Sequence, residues 1–96
     1  MRRDFEKALR SAISQCYAIG YQPTILEGMI NTSNPVDVAK KLVLSGEFQH
    51  GIRELTKLGR QDLTIEAIMQ EKRFSSLFTI DEISAASWRL NNVNAA

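Results

Sequence analysis

Phe5, Leu9, Ala12, Ile13, Cys16 and Tyr17 follow one another at spacings of three and four residues. An α-helix returns to the same face after about 3.6 residues, so these six form one apolar stripe. The rhythm recurs along nearly the whole chain, and nowhere does the two-residue alternation of a half-buried strand appear. β-Branched residues are scattered rather than run together. The chain is therefore expected to be all-α: a single compact domain of five or six short helices over 1–92, with 93–96 a frayed tail. Its 96 residues suffice for one such domain and one modest core.

The helix boundaries follow from local chemistry. The first helix runs over 4–19 and stops at Gly20, which can take the left-handed conformation that closes helices. A second covers 24–31 with Ile25, Leu26, Met29 and Ile30 inward, weakened at Gly28 by about 1 kcal/mol relative to alanine. Asn34 is placed to cap a third helix over 35–44, with Pro35 at its first position and Asp37 at the positive end of its dipole. Val38, Ala39, Leu42 and Val43 face its core side, and Ser45-Gly46 breaks it. The fourth covers 49–58 with Ile52, Leu55 and Leu58 inward, ended by Gly59. A fifth runs over 65–71. "KRFSSLF" is then a connector whose Phe74, Leu77 and Phe78 plug the core. The sixth helix, 80–90, turns Ile80, Ile83 and Leu90 inward with Ala86 or Ser87.

One local device appears more than once. "LTIEAI" (63–68) is echoed by "FTIDEI" (78–83), and "TILE" (24–27) is a partial copy. The spacing is too irregular for a solenoid repeat. With Thr64 as N-cap, Leu63 and Ile68 form a hydrophobic staple. With Thr79 as N-cap, Phe78 and Ile83 do the same and Glu82 completes a capping box. Thr24 with Glu27 is a third candidate, with Gln22 as a rival cap. A threonine cap contributes about 1 kcal/mol, which accounts for these threonines and acids without invoking a site. What the device leaves over is Arg60 with Asp62. Arg60 is expected to pin the corner after Gly59 by bonding Asp62, Glu66 or a carbonyl at a helix end.

Composition narrows the class of function. The net charge is +1, so no global field draws in nucleic acid or acidic membrane. Cys16 is the single cysteine, which excludes an internal disulfide and fits a reducing compartment. Met1-Arg2-Arg3 leads into Asp4 and Glu6 rather than an apolar run, against a secretory signal. No apolar run reaches the length of a bilayer crossing. The expectation is a cytoplasmic protein, of a cell or of a phage inside one, with no membrane association.

Chemistry-bearing constellations are sparse. One histidine and one cysteine, far apart, offer no metal-ligand spacing, and the close acidic groupings, Asp81-Glu82 and Asp62 with Glu66, sit at helix starts. No metal and no cofactor is expected. Cys16 lies on an apolar stripe and reads as a small buried hydrophobe. His50, beside Gly51 at a helix start, reads as neutral and partly exposed. There is no nucleophile elbow and no phosphate loop. An enzyme would need a cleft around Arg60, Asp62 and Glu66, and no catalytic residue is assigned.

Two surfaces invite a binding role. The basic residues Lys40, Lys41, Arg53, Lys57 and Arg60 could meet nucleic acid or be a solvated helix face. A helix-turn-helix within "VAKKLVLSGEFQHGIREL" wants a small residue four before its turn glycine and an apolar one five before; Gly46 has Leu42 and Lys41 there, so the match fails. Trp88 is the more informative residue. It lies beside the inward arc of the last helix, either as a half-buried core edge or as an exposed anchor of the type enriched at interfaces. Tyr17 and Tyr21 raise the same question.

"GYQPT" (20–24), "AKKLV" (39–43), "LGRQDLTIEAI" (58–68) and "LFTIDEI…RL" (77–90) together resemble a family of small bacterial proteins of unknown function with a GYxxT … LGRxDLTxEA … LFTxxEL pattern. The resemblance spans nearly the whole chain and implies a helical scaffold, with no activity to carry over. The chain departs from it at Thr56, where the pattern has an aromatic, at Gln61, where it has leucine, and at Ser87-Trp88-Arg89, where it has a basic run. Specialised binding would use the positions that differ, and an exposed Trp88 gains weight. The reading is a non-catalytic helical protein that binds a protein partner through Trp88, Arg89 and Ser84, with Tyr17 and Tyr21 as lesser candidates. It would be a regulator or inhibitor of a larger bacterial machine, self-association included. A nucleic-acid-binding regulator using the basic residues is the alternative, and an enzyme the third.

Overall fold

The first helix begins at Arg2, and among the described residues five more follow it. The structure is a computed structural model that describes residues 2–45 and 49–92, with the side chains of 2–44 and 51–92. The break at Gly46, the environment of His50 and the tail 93–96 lie outside the described residues. The α-helices are α1 (Arg2–Ala18), α2 (Thr24–Thr32), α3 (Pro35–Ser45), α4 (Gln49–Lys57), α5 (Ile65–Met69) and α6 (Ile80–Asn91). Tighter 3₁₀ turns occupy Gln61–Leu63 and Lys72–Leu77. Among the described residues there is no strand. The all-α, single-domain expectation is met, and the Cα radius of gyration of 12.2 Å matches the value of about 12.5 Å for a compact domain of this length.

The stop signals act as expected. Gly20 and Gly59 both have positive φ, +93° and +71°. At each, two backbone bonds close the helix: Tyr21 N–H to the Cys16 carbonyl with Gly20 N–H to Tyr17, and Arg60 N–H to Leu55 with Gly59 N–H to Thr56. This paired pattern is the Schellman motif, which satisfies carbonyls that a helix end leaves over. It also corrects one expectation. Leu58 lies in the turn beyond the helix end at Lys57 rather than on the inward face, and it is exposed.

Three of the four expected caps form. Thr64 Oγ1 accepts from Ala67 N–H at 3.1 Å. Thr79 Oγ1 accepts from Glu82 N–H while Glu82 Oε1 accepts from Thr79 N–H, the full capping box. Asn34 Oδ1 accepts from Val36 N–H at 2.9 Å, with Pro35 at the first helical position. Thr24 does not cap. The cap position belongs to Pro23, whose carbonyl starts the helix by accepting from Glu27 N–H, and Thr24 is the first helical residue. Glu27 is engaged elsewhere, accepting from the Tyr17 hydroxyl at 2.6 Å.

The core gathers around Phe5 of α1. Its ring meets Phe74 and Phe78 edge-on, each with centroids 5.3 Å apart, an arrangement that suits the quadrupoles of aromatic rings. The connector 72–78 is thus a helical turn that plugs the core with two phenylalanines, Leu77 packing at their edge. α1, α3, α5 and α6 pack on one another around this centre; α2 leans on α3, and α4 on the Gln61–Leu63 turn.

Two further apolar expectations fail. Ile25 and Ile80 point outward, 62% and 83% exposed. For Ile80 the reason is that the inward arc of α6 is centred on Glu82, Ala86 and Arg89. Two charged residues occupy what an apolar pattern would assign to Ile80, and Ile83 and Leu90 are only partly buried.

Candidate functional site

Arg89 was expected on the partner-binding surface of the last helix; it is instead in the core. Its side chain is almost fully buried, and Nε donates to Glu66 Oε2 at 2.9 Å. Both side chains of this pair are shielded from water, 3% and 4% exposed. Glu66 is therefore not a solvated helix-start residue. Burial pushes its carboxyl above the ordinary value, opposed by a backbone N–H and by Arg89. The pair ties α5 to α6, which are closely packed together. A lone buried charge would be far costlier than this matched pair, so Arg89 and Glu66 must be placed together or not at all.

The opposite face of α6 has another character. Trp88 is 61% exposed, Ser84 is exposed, and Ile80 stands beside them at the same spacing. Residues 80, 84 and 88 lie at i, i+4 and i+8, one ridge about 12 Å long. Asp81 and Asn91 border it, both exposed. The Trp88 carbonyl caps the helix end by accepting from Asn92.

Tyr17 and Tyr21 are not part of that ridge. The Tyr17 hydroxyl binds Glu27 on α2, and this bond raises the phenol's pKa. Tyr21 is half-buried against α4, where a methyl at Gly51 would come within 3.0 Å of its hydroxyl. The two tyrosines fasten the end of α1 to its neighbours.

The basic residues do not form one free surface. Lys40 lies 3.7 Å from Glu82, Lys57 is 3.3 Å from Glu54, and Arg60 is bonded to Asp62. Lys41 and Arg53 are exposed. Arg60 makes a two-toothed contact, Nε to Asp62 Oδ1 at 3.1 Å and a second nitrogen to Oδ2 at 3.2 Å, and reaches Gln15 Oε1 of α1 at 3.3 Å. It pins the corner as expected, through Asp62 and not Glu66. Arg60 and Asp62 stay on the surface while Glu66 turns inward to Arg89, so the three do not converge on a reaction centre. Among the described residues no three His, Cys, Asp or Glu side chains gather where a metal ion could sit, and no helix is long and apolar enough to cross a membrane.

Sequence reasoning missed a cleft. Residues of α1, α2, α4 and the 63–66 segment enclose about 280 Å³ between α2 and α4. Ile13, Leu26, Met29, Ile52 and Leu55 give it apolar walls, and the exposed Gln22, Thr24 and Ile25 stand at its rim. As a sealed void of 280 Å³ it would cost ~7 kcal/mol at about 24 cal/mol per Å³, more than a domain of this size readily spares. It is partly open instead. Cys16 lies in its wall, buried, with burial raising its thiol pKa, so the sulfur behaves as a small hydrophobe. Ile25, expected inward from its spacing, stands outward at this rim, so no local signal in the sequence pointed to the cleft.

Comparison of the chain with protein-family models, with curated proteins and with solved structures finds no match.

Proposed function

We propose that this protein acts by binding another protein through the outer face of α6, and not by catalysis. One observation carries the reading: Ile80 and Trp88, 83% and 61% exposed, stand on a single helical ridge with only Ser84 between them. A large aromatic and a large aliphatic side chain held in water on a rigid helix are the anchors that interfaces bury, and tryptophan is the residue type most enriched at interface hot spots. The small Ser84 leaves a notch between the anchors that a partner side chain can enter. Arg89 on the reverse face holds α6 to Glu66 and gives the ridge a fixed base.

Such a small binder suits a regulator or inhibitor of a larger machine, and the resemblance to small bacterial proteins points to a bacterial or phage setting. The nucleic-acid alternative has less support, because Lys40, Lys57 and Arg60 each face a carboxylate. The test is capture from a bacterial lysate by the wild type and by a Trp88→Ala/Ile80→Ser variant, with sedimentation of each protein alone. A partner, or a second copy, lost by the variant at unchanged melting temperature supports the reading. Equal capture by both proteins would remove the ridge from consideration.

A further inference from the structure

We propose that the cleft between α2 and α4 is a binding site for a small, neutral, mainly apolar molecule bearing one polar end. Its volume of about 280 Å³ falls just under the usual range for small-molecule sites, roughly 300–1,000 Å³. That size admits a short chain or a single ring and excludes a peptide segment.

The charge of the ligand follows from the lining. Among the described residues that line it, Glu66 is the only charged one, and its carboxylate is taken by Arg89. A charged ligand would leave water and meet no counter-charge, a loss that apolar contact does not offset. Thr64 is similarly committed: its hydroxyl donates to the Gln61 carbonyl and accepts from Ala67 N–H. The polar groups at the rim, Gln22 and Thr24, are exposed and stand where a ligand's polar end would reach solvent. Apolar depth with a polar mouth therefore orients the molecule, tail inward. The walls can part to admit it. α2 rests on α3, whereas α4 rests on the Gln61–Leu63 turn, so the two sides are anchored separately.

The experiment is an amide NMR titration of the full chain with 1-hexanol, hexanoate and hexylammonium, three probes of one chain length and three charges. Saturating shifts with hexanol at Leu26, Met29, Ile52 and Leu55, with both ions at least about ten-fold weaker, are expected from the uncharged lining. A Leu26→Trp variant, which fills the cleft, should lose the saturating shifts at an unchanged or raised melting temperature. If that variant does not fold, the comparison of the three probes on the wild type decides alone. The proposal is overturned by the absence of saturation with hexanol, by shifts confined to Ile80–Trp88 of α6, or by equal binding of the ions.

Discussion

Arg89 and Glu66 show how far a single residue's environment can depart from its type. Both are charged, both are buried, and each has the other's opposite charge 2.9 Å away. Removing one partner strands the other's charge, so Arg89→Met should cost about 3–5 kcal/mol in urea unfolding. The double replacement Glu66→Leu/Arg89→Met should recover most of that loss, since a packed apolar pair matches or exceeds a buried ion pair. Failure of the double variant to recover would mean that the pair's hydrogen bonds matter more than its charges. A pH dependence follows as well. Burial raises the Glu66 carboxyl pKa, so the folded protein holds a proton that the unfolded chain releases near its ordinary value of about 4.3. That contribution to stability is full below the unfolded value and is lost as pH rises through the raised folded one. The wild type's stability relative to Glu66→Gln should therefore decline across that window, read from urea midpoints at a series of pH values. Asp62 runs the other way: Arg60 lowers its pKa, so its contribution is present above the unfolded value and fades as pH falls through the lowered one.

At the scale of the element, three threonines in similar words of sequence meet different fates. Thr64 and Thr79 cap α5 and α6 through their hydroxyls, whereas Thr24 lies inside its helix with no capping bond. Thr64→Ala and Thr79→Ala should each lower stability by about 1 kcal/mol, and Thr24→Ala by no more than about 0.5 kcal/mol, measured by thermal or urea unfolding. Equal losses at all three would show that methyl packing, not capping, governs these sites. The starts at Thr64 and Thr79 and the stops at Gly20 and Gly59 were legible because each rests on a few adjacent atoms: a hydroxyl three residues before an N–H, or a glycine free to take positive φ. The inward face of α6 was legible only in part, at Ala86 and at the half-buried Ile83. Its pattern favours Ile80, yet the interior selects Glu82, Ala86 and Arg89, because Glu82 closes its own helix start and Arg89 has Glu66 opposite. Thr56 and Gln61 make a related point. These two departures from the resembled pattern are bonded to each other, and Gln61 also holds the Leu90 carbonyl at 3.2 Å. They knit the end of α4 to the end of α6.

Across the whole molecule, packing is uneven. α1, α3, α5 and α6 pack on one another around the phenylalanines, while α2 and α4 give Ile30 and Leu55 to that core and flank the cleft. Local stability follows buried contact, so amide hydrogen exchange should show the interior amides of α2 and α4 less protected than those of α1 and α6. Uniform protection would indicate that the cleft is closed in solution and would count against a pliable binding site. The ridge on α6 thus sits on a helix packed against α3 and α5, and the cleft lies between α2 and α4. A protein interface gains from a rigid presenting helix, whereas a small-molecule cleft needs walls that part.

Helical class, the helix stops at Gly20 and Gly59, the caps at Asn34, Thr64 and Thr79, the burial of Cys16 and the Arg60–Asp62 corner were all determined by the sequence alone. Each depends on interactions within a few residues or on a periodicity that survives any packing. The burial of Arg89, the exposure of Ile80 and Ile25 and the cleft between α2 and α4 were decided only by the tertiary structure. Arg89 is 23 residues from its partner Glu66, and no local rule pairs charges at that distance. The cleft arises where helices fail to fill the space between them, a property of their arrangement that no single segment encodes.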